Sequence, residues 1–131
     1  MSRFTLIPGP ENYDKPLYST NCRDIAFYNI QEIVDVILAL PNTHVVIKNE
    51  DLRRWKAEIQ IKSRTFLIDM PSFDGGDKTW GGMTLSGDCN LNDVGTIWEM
   101  LINKSFDAVF LHGPDCRMYS YDEFDLISSN F

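Results

Sequence analysis

Lys56-Ala-Glu-Ile-Gln-Ile-Lys62, followed after Ser63 and Arg64 by Thr65-Phe-Leu-Ile-Asp-Met70, is the stretch whose reading decides the fold. In the first run Ala57, Ile59 and Ile61 fall on one side of a pleated strand and Lys56, Glu58, Gln60 and Lys62 on the other, the pattern of a half-buried strand. The second run is apolar on both faces at its centre, which predicts a more interior strand. Ser63 and Arg64 leave room only for a short reversal, so the two are expected to pair as an antiparallel hairpin. Pro71-Ser-Phe-Asp-Gly-Gly-Asp77 carries residues that preset or tolerate turn dihedrals and is expected to be an exposed connection. Trp80-Gly-Gly-Met-Thr-Leu85 returns as a third strand, its paired glycines marking a bulge.

Working outward, a helix is expected from about Asn29 to Leu40. Asn29 can accept from an orphan N–H and Glu32 can reach back, while Ile30, Ile33, Val34, Ile37 and Leu38 form an apolar stripe ended by Pro41. Thr43–Lys48 reads as a strand. A second helix is expected over 90–103, capped by Asn90 and Asp93, with Leu91, Val94, Ile97, Trp98, Leu101 and Ile102 as its stripe and Gly95 as a cost to helicity. Asp107–His112 is a short buried strand, Cys116–Ser120 another, and Ser120-Tyr-Asp-Glu123 opens a short helix toward Ile127. Phe4–Ile7 is a short strand, and Pro8–Asn21, with three prolines, an ordered loop. The fold class that follows is α+β: a mainly antiparallel, twisted sheet of about five or six strands with two principal helices packed on it and a short C-terminal helix.

A chain of 131 residues suits one globular domain over 1–131 that buries roughly two thirds of its unfolded surface. No apolar stretch reaches the ~18 residues a membrane span needs, and the N-terminal apolar patch is too short for a signal peptide, so a cytoplasmic protein without a membrane partner is expected. Cys22, Cys89 and Cys116 are widely spaced and lack a Cys-x-x-Cys pair, as befits reduced thiols.

Charge is the most informative compositional fact. The net charge of -7 is carried by the second half: residues 69–131 hold 11 Asp+Glu against 3 Lys+Arg, whereas residues 1–68 hold 8 against 9. Such a surface disfavours nucleic acid, whose binding depends on neutralising phosphates, and favours a basic protein partner.

Motifs that would carry chemistry are thin. His112-Gly-Pro-Asp-Cys116 brings a thiol, an imidazole and a carboxylate close in sequence, and a small cysteine-dependent enzyme using Cys116 and His112 is the alternative it supports. No nucleophile elbow or protease signature surrounds it, and a turn made by Gly113 and Pro114, entered from a strand, is the better reading. The same residues supply two metal ligands without a second pair. His44 opens an apolar strand and reads as a packed or edge residue. Gly75-Gly-Asp-Lys-Thr79 lacks the spacing of a phosphate loop, and Asp74 and Asp77 lack the ligand series of a calcium loop. Neither cofactor nor metal is expected. Arg53-Arg-Trp-Lys56 is a short basic cluster beside Glu50, Asp51 and Glu58, as a solvated surface would have.

The acidic and aromatic set is larger: Asp74, Asp77, Trp80 and Asp88, then Asp115, Tyr119, Tyr121, Asp122, Glu123 and Asp125, where aromatics beside carboxylates suit an interface with a basic protein. In size, charge and lack of a catalytic motif the chain resembles bacterial immunity proteins, small acidic cytosolic antitoxins that bind and block a cognate secreted toxin, often a basic nuclease. The resemblance implies a stoichiometric, non-catalytic inhibitor whose carboxylates cover a toxin's cleft, with an acidic subunit of a larger assembly as a further alternative.

Overall fold

The computed structural model describes residues 2–9, 17–18, 28–50, 54–71, 79–112 and 117–130. Alternation of apolar and polar residues produces strands β1 (Ser2–Pro8), β3 (His44–Asn49), β4 (Arg54–Ile61), β5 (Arg64–Pro71), β6 (Met83–Gly87), β7 (Ala108–His112) and β8 (Arg117–Tyr119), with a two-residue β2 (Leu17–Tyr18). They form one antiparallel sheet in the order β2-β8-β7-β1-β6-β5-β4-β3. The expected five or six strands are thus too few. Leu17–Tyr18 pairs with β8 inside what reads as a proline-rich loop, a long-range pairing that local sequence does not signal.

Three helices accompany the sheet: α1 (Ile30–Leu38), α2 (Leu91–Asn103) and α3 (Phe124–Asn130), the last entered through a 3-10 turn at Tyr121–Glu123. Asn29 Oδ1 accepts from Gln31 N at 2.9 Å to start α1. At α2 the reciprocal box forms, with Asp93 N donating to Asn90 Oδ1 at 3.0 Å and Asn90 N to Asp93 Oδ2 at 2.9 Å.

The core lies between these helices and one face of the sheet. Trp55, Ala57 and Ile59 of β4, Phe66, Ile68 and Met70 of β5, Met83 and Leu85 of β6 and Leu6 of β1 meet Ile33, Val34 and Ile37 of α1 and Val94, Ile97, Trp98 and Leu101 of α2, all buried. Burying each large aliphatic of this kind contributes about 1.5–3 kcal/mol. The opposite face changes character along the sheet. Val109 and Met118 are buried there, whereas Leu67 at the centre of β5 is 48% exposed beside Glu58. β5 is therefore interior in strand order but covered on one face only, which corrects the two-sided burial expected of it. The β4–β5 hairpin turns at Lys62 and Ser63, one residue earlier than expected, since Arg64 already pairs with Ile61.

The paired glycines precede β6 and create no bulge within it. Gly82 has φ +109, and a Cβ there would stand 2.8 Å from the Leu6 carbonyl oxygen, so the position serves the close approach of β1. β1 is the middle of the sheet: it pairs with β6 on one side and β7 on the other.

One ion pair ties the hairpin to a helix. Arg64 Nη2 donates to Asp93 Oδ1 at 2.9 Å and Nη1 to Asp93 Oδ2, while Asp93 also completes the α2 box. Burial raises the Asp93 carboxyl pKa, but bonds from Arg64 and the Asn90 N–H outweigh it and hold the group below its ordinary value. Its stabilisation is full above the unfolded pKa of ~3.9 and is lost as pH falls through the lower folded value. We expect Arg64→Gln to lower the unfolding free energy at neutral pH, since it leaves a nearly buried carboxylate without its cation. Urea unfolding from roughly pH 6 down to roughly pH 2.5 should show a larger loss in the wild type than in the variant; parallel losses would remove the pair from the account of stability.

Candidate partner surface

α2 has a sharply divided surface. Val94, Ile97, Trp98 and Leu101 face the core, and Asn92, Thr96 and Glu99 face out at helical spacing. Trp98 is wholly buried, and its Nε1 donates to the Ala108 carbonyl at 2.8 Å, fixing the helix against β7. Gly95 has a specific reason to lack a side chain: a Cβ there would stand 2.7 Å from the Phe124 ring. The chain after β8 folds back across this gap. Tyr121 meets Trp98 edge-on with ring centroids 5.3 Å apart, Phe124 stacks on Tyr121 at 6.0 Å, and Ile127 of α3 is fully buried. Ser120 N and Oγ both donate to Glu123 Oε1, at 2.9 and 3.3 Å, which closes the turn.

This packing assembles an acidic patch around a held tyrosine. The Tyr121 phenol pKa is raised by partial burial, then by the charge and hydrogen bond of Glu99, then by the charge of Asp125. The phenol O–H is thereby directed at the Glu99 carboxylate. Glu99, Asp122 and Asp125 are exposed, and none makes an ion pair within 4.0 Å among the described residues. Lys48, Arg54 and Arg64, by contrast, are each paired with Glu58, Asp69 and Asp93 on the other half of the sheet.

Of the residues picked from sequence, Tyr121, Asp122 and Asp125 are brought together here. Glu123 is adjacent, but its carboxylate closes the Ser120 turn. Asp88 is exposed beyond the N-terminal end of α2, roughly 12 Å of helix from Glu99, and its carbonyl accepts from Arg64 Nη1 at 3.5 Å. Trp80 and Tyr119 correct the expectation of surface anchors. Trp80 is 0% exposed, with its Nε1 lacking an acceptor among the described residues, and Tyr119 is 4% exposed on the helix side of the sheet. Strand alternation sends the Tyr119 ring inward, and Trp80 is drawn in ahead of β6, where its backbone N–H donates to the Tyr28 carbonyl at 2.8 Å, so Tyr121 is the one of the three left partly at the surface. Asp74, Asp77 and Asp115 lie outside the described residues. Glu99 is the member that sequence reasoning missed. Its signal was a lone acid on the outer face of α2, which gains meaning only when the C-terminal turn docks beside it.

The His112 and Cys116 pairing also falls outside the described residues, because Cys116 does. Cys89 is buried, and burial, with a further push from Asp93, takes its thiol up to about 12 despite Arg64, so it is no nucleophile near neutral pH. Among the described residues no group of three His, Cys, Asp or Glu side chains could hold a metal ion, and no helix is long and apolar enough to cross a membrane. Comparison of the chain with protein families, curated proteins and solved structures finds no match.

The Gly95–Phe124 contact is testable by a double-mutant cycle. Gly95→Ala alone should be neutral or destabilising, because the new methyl displaces the Phe124 ring. In a Phe124→Leu background the same change should stabilise by about 0.5–1 kcal/mol, the helix-propensity gain of Ala over Gly; equal effects in both backgrounds would mean that the ring does not fill the gap. For Cys89, iodoacetamide at mildly alkaline pH should label it at least about a hundredfold more slowly in the folded chain than in urea, as read by mass spectrometry of its peptide.

Proposed function

We propose that this protein is a non-catalytic binding protein that blocks a basic protein partner one to one, in the manner of an immunity protein neutralising a cognate bacterial toxin such as a nuclease. The observation that carries the reading is the patch on α2 and the C-terminal turn: exposed Glu99, Asp122 and Asp125 around Tyr121, whose ring is held by Trp98 and Phe124. Exposed carboxylates with no ion-pair partner among the described residues are available to Lys and Arg of a partner. A rim of like charges speeds encounter with an oppositely charged protein, and a pre-positioned aromatic lowers the ordering cost of contact. In a nuclease such carboxylates occupy the place of substrate phosphates, which supplies inhibition without chemistry. Asp88 extends the acidic surface along α2, and by sequence Asp74, Asp77 and Asp115 belong to the same acidic half.

The test uses wild type and a Glu99→Gln, Asp122→Asn, Asp125→Asn triple variant, immobilised side by side in lysate of the source cell. Wild type should retain a basic protein at one-to-one stoichiometry and suppress its activity in solution. The triple variant should associate roughly tenfold more slowly at low salt, with a flatter salt dependence. Equal association rates and salt slopes would make the patch a solvated surface, and retention without loss of the partner's activity would make the protein a subunit instead of an inhibitor.

A further inference from the structure

The sheet ends at β3, and one flank of α1 overhangs that edge. Between them runs a groove of about 260 Å³ lined by Gln31, Val34 and Leu38 of α1, Ile47 of β3, Glu50 and Trp55. Its lining is mixed: buried Val34 and Trp55, polar Gln31 and Glu50, and two large aliphatics left open to solvent, Leu38 at 48% and Ile47 at 36% exposure. Its rim is acidic. Glu50 is exposed on one side, and on the other Asp35 is exposed and accepts a hydrogen bond from Gln31 Nε2 at 3.0 Å. Among the described residues, Lys48 is engaged by Glu58 at 3.5 Å, and Glu58 and the exposed Lys56 lie on the sheet face away from α1.

An outermost strand presents backbone N–H and C=O groups that no neighbour within the sheet takes, and proteins blunt such edges with charges, proline or bulges. In β3 the register shift lies between Ile47 and Asn49, so His44–Ile47 remains a regular edge, β-branched from Val45 to Ile47. We propose that this edge takes up a short extended segment of a partner protein as an added strand, whose helix-facing side chains combine an aliphatic residue for the Leu38–Ile47 groove with Lys or Arg for Asp35 and Glu50. Main-chain pairing along β3 supplies the affinity, and the groove with its acidic rim supplies the choice of side chains. The bulge limits pairing to about four residues, which sets a modest affinity. A second copy of this chain fits less well, because pairing β3 with itself across a two-fold axis brings each acidic rim toward its own copy and sets like charges together. The site lies on a different part of the sheet from Tyr121, and neither surface depends on the other.

The probes are two end-blocked nine-residue peptides of alternating Val and Thr, one with Lys and the other with Glu in place of every second Val. Titration of isotope-labelled protein should give shift changes concentrated at Leu38 and His44–Ile47 for the Lys peptide, with the Glu peptide bound about tenfold or more weakly. An Asp35→Asn, Glu50→Gln variant, both positions being exposed and outside the core, should bring the two peptides within about twofold of each other. Equal affinities for wild type, or changes centred on Tyr121 and Glu99, would overturn the inference while leaving the acidic patch untouched. Sedimentation of the protein alone as a dimer with protected β3 amides would overturn it in favour of self-pairing.

Discussion

The hydrogen bond from Trp98 Nε1 to the Ala108 carbonyl sets the position from which the functional half of the molecule is laid out. A fully buried indole N–H without an acceptor costs about 1–3 kcal/mol, so α2 is held at the depth and rotation that satisfy it. At that rotation Gly95 opens toward Phe124, Glu99 lies beside Tyr121, and Asp93 reaches Arg64 at the far end of the hairpin. Core, ion pair and acidic patch are therefore consequences of one helix placement. A change that rotates α2 should disturb all three together.

The two halves of the sheet differ in how they handle charge. Toward β3, β4 and β5 the cations Lys48, Arg54 and Arg64 are answered within the fold by Glu58, Asp69 and Asp93. At the α2 and α3 end the exposed carboxylates have no such answer among the described residues. A charge satisfied internally contributes to stability or register, whereas one left facing water is open to a partner. The imbalance in the linear sequence thus becomes an arrangement in space, because the C-terminal turn and α3 dock on the outer half of α2 beside β7 and β8.

Much of the layout was legible in the sequence because it rests on local periodicity. The alternation of Lys56–Lys62, the stripes of α1 and α2 and the Asn90–Asp93 box each state their own structure, and all appear at nearly the expected bounds. What could not be read depends on partners distant in sequence. Leu67 looks like a core residue within Thr65–Met70 and is half exposed, because no helix covers that face. Trp80 and Tyr119 look like interface aromatics beside acids and are interior, Tyr119 through its strand parity and Trp80 because the chain before β6 is tied to Tyr28 ahead of α1. Leu17–Tyr18 carries no strand signal of its own and is recruited by β8. At the patch, Asp122 and Asp125 were visible as acids, but Glu99 acquires its place only through the contact of Trp98 with Tyr121.

The position of β1 also orders events in time. Its residues pair with Met83–Gly87 on one side and Ala108–Leu111 on the other, so the earliest strand of the chain must wait for two of the later ones. The meander β3–β4–β5–β6 closes from near neighbours and can form by itself. β7 and β8 stay detached from it until β1 bridges the gap. Loop closure over some eighty to a hundred residues is slow relative to hairpin formation. During synthesis β1 is already present when β6 emerges and can pair with it, but the other edge of β1 stays open until β7 follows. Until then that edge of β1 is open to other nascent chains, as unpaired strands in a partly folded chain are.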